Sequence, residues 1–314
     1  MAYSLYKLKF STGLHIGKHV GGPSLDDGSM TIHSDTLFSA LCCEGLKGNR
    51  IKQLYDCFES DRLTISDALP FYKYELFLPK PILFVRNRRQ ESSSALKKKF
   101  KDIEYIPLSQ FNDYVQGLSG DMLDPDSLDY EFGVMVVETR NAIKGHPQAM
   151  PYNVAYWRFN NNSGLYIIVK YEDKEALSIF EDTLYDLALS GIGGKQSSGL
   201  GKFTVEKADV PDLLLSLLNN EKADYQMLLG IALPQDSELD KVLDDGWYRV
   251  VRRGGFIRSE TYSQTPMKKR TIFTLAPGSC LRGRFNGVIL DLSYGRGDHP
   301  VWRCCKTLFA GVSL

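Results

Sequence analysis

Ser190-Gly-Ile-Gly-Gly-Lys-Gln-Ser-Ser-Gly-Leu-Gly-Lys-Phe203 carries five glycines within twelve residues, with Lys195 among them. Glycine has no Cβ, so its peptide N–H can approach a phosphate closely and its φ can turn positive. Lys195, Gln196, Ser197, Ser198 and Lys202 add side-chain donors, and the stretch reads as a backbone cradle for an anion. Upstream, Lys174 to Leu189 sets Leu177, Phe180, Leu184, Leu187 and Ala188 on one helical face. Downstream, Lys202 to Val205 reads as a strand. A Walker loop needs Gly six residues before its Lys and Ser or Thr directly after it, where this chain has Leu189 and Gln196. A dinucleotide fingerprint needs a strand before the glycines and a helix after them, the reverse of the order here. A helix C-cap followed by a turn accounts for the glycines equally well.

The chain has 314 residues, 43% of them hydrophobic and 24% charged, enough for two domains with their own cores. No apolar run approaches the roughly 20 residues of a membrane span, and the first residues lack a signal-peptide apolar region, so a cytoplasmic protein with no membrane contact is expected. Six cysteines stand as Cys42-Cys43, Cys57, Cys280 and Cys304-Cys305, without paired zinc spacing, and read as reduced structural thiols. No metal or cofactor is expected.

Formal net charge is zero, yet the charges are segregated. Lys80 to Lys101 holds eight basic residues against one acidic, and Asp102 to Glu138 nine acidic against none. Glu206 to Asp245 holds ten acidic against three basic, and the chain from Trp247 onward twelve basic against three acidic. Such blocks suit one face for a polyanion and another for a different partner; each block alone also suits a solvated surface.

Residues 3–10 alternate as a strand and end in Gly13-Leu-His-Ile-Gly17-Lys18, a second place where backbone can approach a ligand. Ser34 is the expected N-cap of a helix running to about Leu46, with Leu37, Phe38, Leu41 and Leu46 on its buried face. Glu75 to Val85, broken by Pro79 and Pro81, reads as an irregular edge, and Arg86 to Lys101 as an exposed insertion. Phe132 to Glu138 and Gly164 to Tyr171 are the clearest strands. Between them Thr139 to Asn153 carries Arg140, Lys144 and His146, and reads as a projecting hairpin. These pieces give βαββαβ order, the ferredoxin-like arrangement of RNA-recognition modules. Leu213, Leu214, Leu217 and Leu218 mark a short helix beyond the boundary, and strands follow near Trp247–Val251, Thr271–Leu275 and Gly287–Leu292. The expected fold is therefore α+β, with an N-terminal domain over 1–210 and a C-terminal one over 211–314. Basic residues interleaved with Phe256, Tyr262 and Phe285 give the C-terminal part the composition of a single-strand RNA groove.

His15, His33, His146 and His299, with Asp26, Asp27 and Asp35, are the residues a chemist would test for catalysis. His15 with Lys18 could serve metal-independent RNA cleavage, but a structural role or RNA contact weighs more. Asp26-Asp27-Gly28 is ordinary turn chemistry, and Asp35 suits the positive end of a helix dipole.

Gly191 to Phe203, the opening Leu8-Lys-Phe with Gly13-Leu-His-Ile-Gly17, and Thr31-Ile-His-Ser-Asp-Thr-Leu-Phe-Ser-Ala-Leu41 resemble the RAMP superfamily of CRISPR-associated proteins. With Tyr152-Asn-Val-Ala-Tyr-Trp-Arg-Phe, Gly254-Gly-Phe-Ile-Arg-Ser259 and His299-Pro-Val-Trp-Arg-Cys, nearly the whole chain is similar to the fourth Csm subunit of type III-A effector complexes. The resemblance implies two ferredoxin-like (RRM-like) domains and a β-hairpin thumb. It implies binding of the crRNA 5′ handle, contact with the guide–target duplex, docking to the large polymerase-like subunit and a backbone RAMP subunit, and no nuclease activity. A metal-independent endoribonuclease processing crRNA would share the fold and the loop. Gln196 departs from the basic residue of many relatives, leaving Lys195 as the main charge of the loop. The expected RNA surface comprises His15 and Lys18, then Arg140 and Lys144, and in the loop Gly193, Gly194, Lys195, Ser197, Ser198, Gly199 and Lys202. Arg252, Arg253, Arg258, Lys268, Lys269 and Arg270 complete it, with Tyr262 or Phe256 for stacking.

Overall fold

The first strand, Ala2–Phe10 (β1), buries both of its faces: Tyr6 and Leu8 enter one hydrophobic cluster and Leu5 the other. A strand covered on both sides lies inside a sheet with layers above and below, and the rest of the chain supplies those layers. The structure is a computed structural model that describes residues 1–18, 25–84, 94–119, 123–142, 150–259, 262, 263, 265, 267–295 and 297–314.

After β1 come the helices Ser34–Lys47 (α1) and Ile51–Glu59 (α2), then strands Leu63–Ile65 (β2), Leu69–Tyr72 (β3) and Glu75–Pro79 (β4). Helix Ser94–Asp102 (α3), strand Tyr105–Pro107 (β5) and helix Phe111–Gly117 (α4) follow, then strands Gly133–Ala142 (β6), Met150–Phe159 (β7) and Ser163–Tyr171 (β8). Helix Lys174–Ser190 (α5) leads through the glycine loop to Phe203–Ala208 (β9). The remainder holds Asp212–Asn219 (α6), Tyr225–Leu228 (β10), Leu239–Leu243 (α7), Val250–Arg253 (β11), Ile272–Leu275 (β12), Cys280–Leu281 (β13), Val288–Asp291 (β14), Trp302–Cys305 (β15) and Phe309–Val312 (β16).

The main sheet is antiparallel in the order β5-β4-β3-β8-β1-β9, with β2 also paired to β8. Helices α1 and α5 are the crossovers on one face, where Phe38, Phe58, Phe180 and Leu184 pack against Tyr6, Leu8, Ile167 and Val169. The predicted apolar stripe of α5 is buried as read, and Asp173 caps it by accepting from the Ala176 N–H at 2.8 Å. On the other face Phe111, Tyr114, Leu214, Leu218, Met227 and Ala310 cover Leu5, Tyr166 and Ile168, so a single core cluster draws on both sides of position 210. Residues beyond 210 form three small antiparallel sheets, β13-β10-β16, β11-β12 and β14-β15. Strands β6 and β7 form a separate two-stranded ladder running from Gly133↔Phe159 to Ala142↔Met150.

Some local expectations change. Leu46, expected on the buried face of α1, is 57% exposed in the last turn, beyond the part of the helix that packs on the sheet. Ser34 is the first helical residue of α1, not its cap; its N–H donates to Asp67 Oδ1 at 2.7 Å, and Asp67 Oδ2 lies 2.6 Å from His33 Nδ1. A carboxylate from the β2–β3 connection thus does what a local cap would have done. Strand β4 is not an edge, because β5 pairs outside it; Pro79 stands at its last position and Pro81 beyond it. Part of the lysine-rich insertion is the helix α3, anchored by buried Phe100 and by Lys99 on Asp126 at 2.6 Å.

Asp35, 1% exposed by its side chain, joins the two halves. Arg253 Nε and Nη2 donate to its two carboxylate oxygens at 3.0 and 2.6 Å, and Arg303 Nη1 donates to Oδ2. Burial by itself would raise the Asp35 carboxyl, but Arg253 and Arg303 hold it well below the usual carboxylate range. A group so depressed contributes stability that is full above its unfolded value and is lost as pH falls below about 4. Asp35→Ala strands two buried guanidinium groups and is expected to lower unfolding stability by about 3–5 kcal/mol in urea denaturation. A drop below about 1 kcal/mol would show that the cluster does not hold the halves together.

Candidate nucleic-acid interface

The glycine loop closes on itself before it offers anything outward. Gly191 ends α5 at φ 87°, its N–H donating to Leu187 O at 2.7 Å, and Ile192 N–H reaches Gly201 O at 2.9 Å. Gln196 Nε2 donates to Gly191 O, which explains why a neutral amide stands at this place. The loop lies against the segment after β1: Gly194 N–H donates to His15 O at 2.8 Å, Gly201 N–H to Gly13 O at 2.8 Å, and Lys202 N–H to Thr12 Oγ1 at 3.0 Å. A Cβ on Gly194 would stand 2.5 Å from the His15 ring, and one on Gly193 2.4 Å from His15 O.

The close approach that Gly193 and Gly194 permit is therefore to the protein's own chain. The Gly194 amide is spent on His15 O, a correction to the expectation that it faces a ligand. His15 is 5% exposed and its Nδ1 bonds Ala155 O, so its imidazole is a packing group under the loop, not a side chain on the surface. Gly13 has the same kind of role, since a Cβ there would meet the Tyr156 ring at 2.1 Å. Asp27 accepts from Gly28 N–H at 2.7 Å as turn chemistry and pairs with exposed Lys18 at 3.2 Å.

What faces outward is side chain. Ser197, Ser198 and Lys202 are exposed, and Gly199, at φ 87°, has open space where a Cβ would be. Arg140 of β6 donates to Ser198 Oγ at 2.8 Å and pairs with Glu138 at 3.0 Å. Lys195 lies 4.6 Å over the Tyr152 ring of β7. Arg258 donates to Gly193 O at 2.9 Å and to Gln196 Oε1. Cations from three distant segments thus meet at one loop, a convergence that no spacing in the sequence announces. The Tyr152–Lys195 pair was the nearest thing to a signal, since an aromatic and a basic residue both fell in the stretches that carry the resemblance.

The remaining expected residues divide. Lys144, His146 and Ile143 lie outside the described residues. Arg252, Lys268 and Arg270 are exposed, whereas Arg253 is 4% exposed and committed to Asp35 and to Thr36 Oγ1 at 3.0 Å. Its guanidinium is a structural cation, a correction to its place on the surface. Tyr262 is 3% exposed, covered where a Cβ on Gly297 would come within 2.0 Å of its ring, and packs edge-on to His299, so it offers no open face to a base. Lys269 is half-buried; burial and then Arg303 push its pKa down to about 8, against the pull of Asp35 and Cys43. Among the described residues no group of three or more His, Cys, Asp and Glu is placed to hold a metal ion, and no helix is long and apolar enough to cross a membrane.

A family model for the RAMP superfamily matches residues 7–204, and one for the CRISPR Csm4 C-terminal domain matches residues 221–312. The chain belongs to the RAMP superfamily and, within it, to the Csm4 family of the type III-A CRISPR system. It is 33% identical over 295 residues to the "CRISPR system Cms protein Csm4" of Mycobacterium tuberculosis, covering 94% of each chain. It is 30% identical over 315 residues to that of Streptococcus thermophilus, covering 98% of each. Among solved structures, a chain of the Csm3-Csm4 subcomplex in the type III-A CRISPR-Cas interference complex shares the fold at TM-score 0.67 and 19% identity, over 99% of this chain and 100% of that one. A chain of the Csm1-Csm4 cassette in complex with AMPPNP follows at TM-score 0.58 and 19% identity, over 100% and 99%.

Two measurements check the loop and its surroundings. Gly201 has φ 82° and a Cβ there would sit 1.9 Å from Ile192 O, so Gly201→Ala should cost several kcal/mol in thermal or urea unfolding; Gly199→Ala, with φ 87° but open space, should cost only about 1–2 kcal/mol. Equal losses would mean that the loop is not packed as described. A lysine with a lowered folded pKa destabilises while charged, so stability should rise as pH climbs from about 8 towards about 10.4. Lys269→Met should flatten that rise in urea denaturation compared across the same pH span, and an unchanged profile would refute it.

Proposed function

We propose that this chain is a non-catalytic RNA-binding subunit of a type III-A CRISPR interference complex, holding the repeat-derived 5′ handle of crRNA. The observation that carries the reading is the meeting of Arg140, Lys195 and Arg258 around exposed Ser197, Ser198 and Lys202. Side chains, and the open turn at Gly199, would contact the phosphates, while Arg252, Lys268 and Arg270 would extend the track along the C-terminal part. Phosphate contacts of this kind position a strand without reading its sequence. The β1-α1-β2 and β8-α5-β9 units, with strand order β9-β1-β8-β2, support a ferredoxin-like reading of the first domain. The β6–β7 ladder would be the thumb, lying beside the guide–target duplex, with Arg140 two residues from its Ala142↔Met150 end. Solved relatives in Csm3-Csm4 and Csm1-Csm4 assemblies support docking to a backbone RAMP subunit and to the large polymerase-like subunit. The absence of a catalytic role is supported by the burial of His15, the histidine beside the loop.

Arg140→Ala/Arg258→Ala in the assembled complex should make the log–log salt dependence of crRNA binding shallower by about 1.4, from about 0.7 per phosphate contact on a single strand. Repeat RNA incubated with the wild-type chain without metal should stay intact. An unchanged slope would sink the RNA track, and cleaved repeat RNA would sink the non-catalytic role.

A further inference from the structure

The outer face of the C-terminal ribbon carries two exposed rings that the RNA track does not use. Phe273 is 62% exposed and stands directly across from exposed Arg252 in the β11–β12 register. Phe256 is 49% exposed and pairs across the same ribbon with Lys268, whose ammonium lies 5.5 Å from the ring centroid. Between Arg253↔Ile272 and Phe256↔Lys268 the first strand spends three residues and the second four, a one-residue bulge. Arg252 and Phe273 are exposed where their chain neighbours Arg253 and Thr274 are buried, and Phe256 and Lys268 are exposed on the continuation of the ribbon past Gly254 and Gly255.

We propose that this face is a two-site stacking platform for unpaired RNA bases, one on Phe273 beside Arg252 and one on Phe256 beside Lys268. The inference rests on the RNA-binding reading above and adds the place where bases, not phosphates, are held. Each ring has a cation as its cross-strand neighbour, the pairing that holds a base by its π-face and the adjacent phosphate by charge. Arg252, Arg258, Lys268 and Arg270 are the exposed basic side chains of residues 250–258 and 267–275, which contain no acidic residue, and this favours a polyanion over a protein surface of mixed charge. The ribbon is continuous with the loop surface, because Arg258 on its first strand bonds Gly193 O. Four residues separate the two sites along the chain, at most about 13 Å at 3.3 Å per residue. Bases stacked on one another advance only about 3.4 Å, so the rings accept non-adjacent bases of an extended strand and reject a duplex.

The test uses the full chain with a short fluorescein-labelled single-stranded RNA and the same sequence annealed as a duplex. Phe273→Ala and Phe256→Ala should each weaken single-strand binding by about 5- to 150-fold, leave duplex binding unchanged and leave the salt slope unchanged, since no charge is removed. Phe273→Trp should retain binding, and 5-bromouridine RNA should crosslink the wild-type chain within residues 250–258 and 267–275. Thermal unfolding of each variant checks the fold; if Phe273→Ala does not fold, Phe273→Leu, which keeps an apolar side chain and loses the ring, takes its place. Wild-type affinity in both ring variants would overturn the platform, and the reading above would still stand if Arg140→Ala/Arg258→Ala flattens the salt slope. Unchanged RNA binding with loss of a co-purifying protein partner would make the ribbon a protein-docking face and overturn it too. No salt-dependent RNA affinity in the wild-type chain would bring down both.

Discussion

Asp35 is a carboxylate shared by two buried guanidinium groups, and the placing of the C-terminal half depends on it. It sits in the first turn of α1, where the helix dipole favours a negative charge. Arg253 comes from β11 and Arg303 from β15, so one side chain fixes two small sheets against α1 at once. Desolvating three charges is expensive, and a hydrophobic cluster of the same volume would stabilise as much or more. What the ion cluster supplies is direction, because a bidentate guanidinium accepts one orientation of its partner. Arg303 also donates to Gly254 O at 3.1 Å, which ties the start of the Gly254-Gly255 bend in the ribbon to the same cluster.

That bend carries the ribbon from the ion cluster to the glycine loop, with Arg253 buried at one end and Arg258 against Gly193 at the other. The loop in turn is held by the segment after β1 and by the β6–β7 ladder, where Leu200 packs with Val154 and Tyr156. A glycine-dense segment is usually a flexible one, since glycine loses more conformational freedom on folding than any other residue. Here close contacts with His15, Gly13 and Ile192 take up that freedom, and the polar tip from Ser197 to Gly199 is presented on a fixed frame. A surface that is already ordered pays little further entropy when a strand binds.

The zero net charge of the chain hides this arrangement. Carboxylates neutralise cations where the fold needs structure, as in Arg62 with Asp173 and Glu175, or Lys306 with Asp61. Arg252 and Lys268 face outward beside aromatic rings, and Arg258 braces the loop through a carbonyl and an amide oxygen.

Periodicity determined much of the fold by itself. The apolar stripe of α5 and the leucines of α6 are local patterns that fix a helix through burial of one face, and β1, β6 and β8 were legible as short β-prone apolar runs, β1 and β8 being buried on both faces. The motifs around the glycine loop were enough to place the chain in its superfamily, because they span elements that any member must build. Sequence could not say which polar residues face outward. Arg252 and Arg253 are neighbours of the same type, and only the pleat of β11 and the presence of Asp35, 218 residues from Arg253, expose one and bury the other. Gly193 and Gly194 looked like room for a ligand, and the tertiary structure filled that room with His15. Backbone freedom and side-chain type are written locally, whereas burial and pairing depend on which distant segment arrives opposite, and that is decided only when the chain closes on itself.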